Sequence, residues 1–269
     1  MDKIDHTIEI AVKPDESSAF TLEGRLREYS TEGLHRHSCH QLLRITTGIT
    51  LLVEEKKKQP LFSNMTAFIP AGLPHRSTVM GKAVHYKSIY LDRAPVGNQA
   101  DGVVVFEMSE LGVALFNRIR LPAMAGGDNA DLSEQCLNLL LKTMEKEMTT
   151  RAHLTQIPVP ENPVNRKITT HIEKHFDQKF KLADFTDILH YSPRHISRIF
   201  RDDLKISIFE YLKLYRIFQA SLMLCDTKTP ETITRIAFAC GYESLSSFYR
   251  DFKDIFSITP RAFRQNHLL

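Results

Sequence analysis

Cysteine is scarce in this chain and never paired. Cys39, Cys136, Cys225 and Cys240 are scattered through 269 residues, which excludes a zinc finger or a disulfide framework and leaves four free thiols. Long apolar runs are missing too. No stretch approaches the ~18 residues of a membrane span, and Met1-Asp2-Lys3-Ile4-Asp5 has no apolar signal-peptide core. A cytoplasmic protein without a membrane partner is therefore expected. Nor is there much net charge of either sign: +3 overall, too little to suggest nucleic acid. The distribution says more, because residues 163–269 hold 17 Lys and Arg against 12 Asp and Glu, a surplus where phosphate contacts would need it.

What the chain does have is a change of texture along its length. From about residue 17 to 95, runs such as Leu42-Leu43-Arg44-Ile45-Thr46, Thr66-Ala67-Phe68-Ile69 and Ser88-Ile89-Tyr90-Leu91 lie between Gly, Pro, Asn and Lys clusters, the pattern of short strands. The charged run from Glu54 to Gln59 reads as a solvated hairpin loop. From about 107 to 155 the pattern is helical. Asp131 and Glu134 stand at capping-box spacing, followed by Leu132, Cys136, Leu139, Leu140, Met144 and Met148 at helical spacing. That stripe must be buried on the strands or on a second subunit. Pro158, Pro160 and Pro163 mark a break. The expected division is a domain at 1–155, a linker at 156–163 and a helical domain at 164–269.

The helical domain contains one pattern twice, at about 182–206 and 233–258. Leu182, Phe185-Thr186, Leu189-His190-Tyr191, Ile196-Ser197-Arg198-Ile199-Phe200-Arg201 and Ile206-Ser207 are echoed by Ile233, Ile236-Ala237, Cys240-Gly241-Tyr242, Phe248-Tyr249-Arg250-Asp251-Phe252-Lys253 and Ile258-Thr259. The offset is 51 residues up to the Tyr and 52 beyond it. Each copy reads as helix, tight turn, helix. In the second helices, Ile196/Ile199/Phe200 and Phe248/Phe252/Ile255 would be buried. Arg194, Ser197, Arg198 and Arg201 would then project from one, and Ser246, Ser247, Tyr249, Arg250 and Lys253 from the other. Arg matches a guanine edge, while Ser and Lys reach bases or phosphates. Arg198 and Arg250 are the expected base readers; Ser192, Arg216 and Lys253 are expected in phosphate or scaffold roles.

The stretch from Lys181 to Arg264 resembles the DNA-binding domain of the AraC/XylS family of bacterial transcription regulators. The marks include Ser192-Pro193, Arg198-Ile199-Phe200, Tyr211-Leu212, Arg216, Ile236-Ala237, Gly241-Tyr242, Ser247-Phe248-Tyr249-Arg250 and Thr259-Pro260. The resemblance implies two helix-turn-helix modules joined by a helix from about Ile208 to Leu224, with promoter DNA and RNA polymerase as partners. Where the family prefers Gly, this chain has His190, Lys205 and Ser257.

His35-Arg36-His37, Gln41 and Gly48 resemble the first cupin motif, and Pro70-Ala71-Gly72-Leu73-Pro74-His75 the second. The fold class expected is thus α+β: a cupin β-barrel with trailing helices, then an all-α DNA-binding domain. His35, His37, Gln41 and His75 are the candidate effector or metal site, since alternate residues of a strand share a face. Metal-binding cupins use three His and a Glu; here Gln41 replaces the acid. Two readings of these residues stand side by side, a divalent transition metal such as Ni, Zn, Fe or Mn and a metal-free pocket for a small molecule. Cys39, His85 and His6 are lesser candidates. No catalytic residue is assigned. The reading is a homodimeric, effector-controlled transcription regulator, more an activator than a repressor. Its rivals are a cupin metalloenzyme tethered to DNA and a constitutive DNA-binding protein whose barrel only dimerises.

Overall fold

A computed structural model describes residues 8–9, 19–26, 33–95, 101–120, 128–150, 156–226 and 231–267. His6 and the ends of the expected sensing domain lie outside them. The chain divides into two compact units, one formed by 1–54 and 60–154, the other by 55–59 and 155–268.

The first unit runs β1 (Ile8–Glu9), β2 (Ala19–Leu26), β3 (His35–Arg36), β4 (His40–Glu54), β5 (Lys57–Phe62), β6 (Met65–Ile69), β7 (His75–Leu91), β8 (Val104–Glu107), α1 (Glu110–Arg118) and α2 (Asp128–Thr150). The sheet is antiparallel except for the short β1–β3 contact. Strand β7 is its spine. It pairs with β4 from His40↔Leu91 to Glu54↔His75, and with β2 from Ala19↔Leu91 to Leu26↔Val84. The β4–β7 register shifts around Thr47. Beside it Gly48 has φ 90°, and a Cβ there would sit 2.4 Å from the Ala83 carbonyl oxygen, so glycine is required.

Both faces of β4 and β7 are covered where they pair at their buried runs, Gln41–Ile45 and Lys87–Ile89. Leu42, Ile89 and Leu91 join Phe68, Phe106, Phe116, Leu140 and Met144 in one apolar cluster with the helices. The alternate residues Gln41, Leu43, Ile45, Tyr86, Ser88 and Tyr90 line an internal cavity. Period-two alternation here divides two buried surfaces rather than core from solvent.

Helix α1 is held at both ends by charge. At its N-terminus the Ser109 side chain accepts from the Gly112 N–H, and Glu147 accepts from the Ser109 backbone N–H at 3.0 Å and from its hydroxyl. At the other end buried Lys87 donates to the carbonyls of Phe116 (2.7 Å), Ile119 (2.8 Å) and Asn117 (3.3 Å). Burial, with Arg120 nearby, lowers its pKa to about 8, so the ammonium persists at neutral pH. The negative ends of the helix dipoles explain why a buried lysine is tolerated.

Helix α2 departs from expectation in two ways. It begins at Asp128, so Asp131 and Glu134 lie inside it and form no capping box. Asp131 instead accepts from Gln135 and Glu134 pairs with Arg93. The apolar stripe also splits. Cys136, Leu140, Met144 and Met148 are buried, with Leu137 and Leu141 beside them, whereas Leu132 and Leu139 stay 39% and 45% exposed.

The second unit contains β9 (Ile157–Pro158), α3 (Pro163–His175), α4 (Asp184–Leu189), α5 (Pro193–Leu204), α6 (Ile208–Leu224), α7 (Ile233–Ala239), α8 (Leu245–Phe256) and α9 (Pro260–His267). The stretch read as a linker, 156–163, carries β9 and the Asn162 cap of α3. The run read as a solvated hairpin loop is one only at Glu55 and Lys56, the exposed turn between β4 and β5; Lys57 and Lys58 oppose Pro158 and Ile157, Lys58 meets Glu173 at 2.6 Å, and Gln59 is buried. Ser207 and Glu210 close a capping box that starts α6. That helix buries Tyr211, Leu212, Tyr215, Ile217 and Phe218.

The non-glycine substitutions are all left-handed. His190, Lys205 and Ser257 have φ of 55°, 61° and 60° and cap α4, α5 and α8. Gly241, the repeat counterpart of His190, has φ 78°, and a Cβ there would sit 2.7 Å from the Asp177 carbonyl oxygen. His190 is exposed, so a side chain fits at that position. Two stability outcomes are expected from chemical denaturation. Gly241→Ala should cost about 3 kcal/mol, whereas Lys205→Gly should gain ~0.5–1 kcal/mol by relieving left-handed strain. In the first unit, Lys87→Met should cost about 2–3 kcal/mol by stranding buried helix-end carbonyls; a loss under 1 kcal/mol would refute that account.

Candidate nucleic-acid interface and ligand cavity

The helices α5 and α8 are built alike. Ser192 and Ser244 cap them, accepting from the backbone N–H of His195 and Ser247. Ile196, Phe200 and Leu204 are buried on α5, and Phe248, Phe252 and Phe256 on α8. Ile199 and Ile255, expected in the core, are only half-buried. Apolar residues recurring every fourth position leave the remaining face to polar groups. Arg194, Arg198 and Arg201 are exposed on α5, with Ser197 half-buried; Ser246, Arg250 and Lys253 are exposed on α8, with Ser247 and Tyr249 half-buried. Arg198 and Arg250 occupy equivalent places in the two helices.

Two of the candidates have other employment. Arg216 donates from Nε to the Phe176 carbonyl (2.7 Å) and from its terminal nitrogen to the Gln178 carbonyl (2.8 Å), under the Tyr242 ring. It ties α6 to the end of α3 and is a scaffold residue, not a surface contact. Ser192 is a helix cap. His195, which sequence reasoning passed over, stands 3.1 Å from Arg198 and stacks near Tyr191 on the exposed side of α5. Arg250 lies 3.5 Å from Asp251, which also accepts from the Tyr242 hydroxyl.

In the first unit, His35, His37, Gln41 and His75 come together although β3 and β4 are separate strands. His35 pairs with His75 across the sheet, with ring centres 4.3 Å apart, and His37 lies 5.0 Å from His75. They are not arranged as an ion cage. His37 uses Nδ1 on the Cys39 carbonyl (2.5 Å) and Nε2 on the Gln41 amide (3.1 Å), whose other end meets Ser88 Oγ at 2.9 Å. His75 donates from Nδ1 to the Leu73 carbonyl at 2.9 Å. Among the described residues no group of three or more His, Cys, Asp or Glu is placed to hold a metal ion. A metal needs imidazole lone pairs free and converging, and His37 has neither nitrogen free, so these residues do not fit the transition metal considered from sequence. Cys39 contributes its carbonyl rather than its thiol, and burial raises the pKa of that thiol.

What these residues border is a cavity of about 200 Å³. His35, Gln41, His75 and Ser88 lie in its wall together with Leu43, Ile45, Val79, Val84, Tyr86 and Tyr90. Apart from His75, the β7 contributors were missed from sequence; the alternation from Val84 to Tyr90 was the available signal. Burial lowers the pKa of His35, and lowers that of His75 to about 3.

The helix-turn-helix domain family matches residues 185–266, which span α4 to α9. The HTH-type transcriptional activator RhaR of Mannheimia succiniciproducens is 22% identical over 252 residues, covering 87% of this chain and 88% of RhaR. Over this stretch the chain is similar to regulators of the AraC/XylS family. An uncharacterised HTH-type transcriptional regulator of Staphylococcus aureus is 34% identical over 134 residues, but the chain spans only 18% of its length. A solved probable AraC family regulator from Rhodopseudomonas palustris shares 27% identity over 40% of this chain and all of its own, with a TM-score of 0.38. These relatives are named as transcription regulators.

The buried imidazole of His75 makes a prediction about acid stability. Its folded pKa of about 3 lies below the ordinary 6.5, so between those values the unfolded chain binds the extra proton. The contribution is fully present above pH 6.5 and is lost as pH falls toward 3. At about pH 5 it amounts to roughly 2 kcal/mol of destabilisation. Urea titrations of the full chain and of His75→Gln at several pH values should show a shallower acid loss in the variant; parallel curves would refute the assignment.

Proposed function

We propose that the protein is a cytoplasmic transcription regulator that binds promoter DNA through two helix-turn-helix modules and responds to a small organic effector held in a cupin-type domain. The observation that carries this reading is the duplication itself. α4–α5 and α7–α8 repeat one helix-turn-helix plan, and α5 and α8 share the same serine cap, the same buried positions and the same exposed Arg198/Arg250 pair. The α6 helix between them, of 17 residues, is about 25 Å long, a suitable spacer for successive major grooves.

Arg198 and Arg250 are assigned to base edges, with Arg194, Ser197, Ser246 and Tyr249 beside them. Arg201, Ser247 and Lys253 are placed on the phosphates. The cavity favours an effector-controlled protein over one whose sheet domain only dimerises, and the engaged nitrogens of His37 count against a metalloenzyme. Activation with RNA polymerase as partner is favoured because RhaR is named an activator. Homodimerisation is assigned to the exposed side of α2, at Leu132 and Leu139.

Binding titrations on the operator and on scrambled DNA test the core of this reading. Arg198→Ala and Arg250→Ala should each cost ~1–3 kcal/mol on the operator and much less on scrambled DNA. Lys253→Ala should weaken both alike. Equal losses on both DNAs for the two arginine variants would remove them from base reading.

A further inference from the structure

The polarity of the cavity wall restricts what can occupy it. Arg25, Arg36, Arg44, Arg76 and Lys87 stand on the strands that form it, and none is among its described lining residues. Arg44 reaches the Asn64 carbonyl at 2.6 Å, and Lys87 is bound to the end of α1. Among the described lining residues none carries a permanent charge. A carboxylate or phosphate would enter without a counter-ion, at a desolvation cost of several kcal/mol.

The two imidazoles that line it, His35 and His75, do not supply the missing charge. His75 is 1% exposed, and its Nδ1 must carry the proton because the Leu73 carbonyl can only accept. In the neutral ring Nε2 is then a lone-pair acceptor. His35 adds a buried Nδ1 with no protein partner among the described residues. Ser88 completes this polar end. Its aliphatic part is made by Leu43, Ile45, Val79 and Val84, with Thr50 and Ser77 beside them. A sugar would strand several hydroxyls against it.

We infer that the cavity takes an uncharged alcohol or phenol: one hydroxyl donated to the His75 end, carried on a compact apolar body. Its size is set by the cavity, since about 150 Å³ holds benzene and this space of about 200 Å³ admits one six-membered ring with a short substituent. This rests on the reading of the cavity as the effector site.

Calorimetric titration of the full chain near neutral pH tests it with matched probes: benzyl alcohol against benzoate, cyclohexylmethanol against cyclohexanecarboxylate, and xylose as the polyol. Each alcohol should bind at least tenfold more tightly than its carboxylate and than xylose. His75→Phe should abolish that preference. Ile45→Phe, which fills the cavity from the apolar side, should abolish alcohol binding and serves independently if the first variant does not fold. Carboxylate or xylose binding as tight as the alcohols overturns the ligand class while the effector site stands. No binding by any probe overturns both.

Discussion

The first unit depends on β7 being buried on both faces. An amphipathic strand has one side to commit; β7 has two, and its residues are sorted between them by parity. Ile89 and Leu91 go to the helical layer, Tyr86, Ser88 and Tyr90 to the cavity. A one-residue slip would exchange the sets, placing two hydroxyphenyl rings and a serine in the helix core. Lys87 reinforces the register. Its ammonium is tolerable in the interior only because it meets carbonyls at the end of α1, which a slip would withdraw. One side chain thus fixes strand register, ends a helix and keeps its charge out of the cavity.

In the second unit the corresponding constraint is backbone handedness. The turns before α5 and α8, and the ends of both helices, pass through a left-handed residue, at His190, Lys205, Gly241 and Ser257. Three of these four carry side chains that cost ~1 kcal/mol or more apiece in that conformation. They persist because capping at the next helix and burial of Phe200, Tyr211, Phe248 and Phe252 over-determine the turns. Only Gly241 has backbone against it closely enough to forbid a side chain.

Much of this could be read from the sequence, and the failures share a cause. The repeat, the exposed arginines and the meeting of His35, His37, Gln41 and His75 follow from periodicity and motif spacing, which are local. What could not be read is how partly satisfied groups choose among partners. Asp131 and Glu134 have the spacing of a capping box, but three further residues were helical and Arg93 and Gln135 were within reach. The charged run 54–59 looked solvated because nothing local announces Ile157, Pro158 and Glu173 as neighbours. Arg216 sits among basic residues in a DNA-binding pattern, yet two carbonyls from the end of α3 claim it.

The same reasoning explains why a metal-site motif can be retained while its chemistry changes. A carboxylate at position 41 would be acceptor-only and negatively charged, suited to a cation. Gln41 presents a donor and an acceptor from one planar group, so it bridges His37 and Ser88 at 3.1 and 2.9 Å and carries no charge of its own. Once the amide is there, His37 is held between it and the Cys39 carbonyl, and the coordination geometry loses one imidazole as well as the acid. The remaining imidazole of His75, fixed by Leu73 and kept neutral by burial, becomes a hydrogen-bond acceptor at the end of an aliphatic chamber. One amide in place of one acid thereby changes the demand of the site from a positive ion to an uncharged donor.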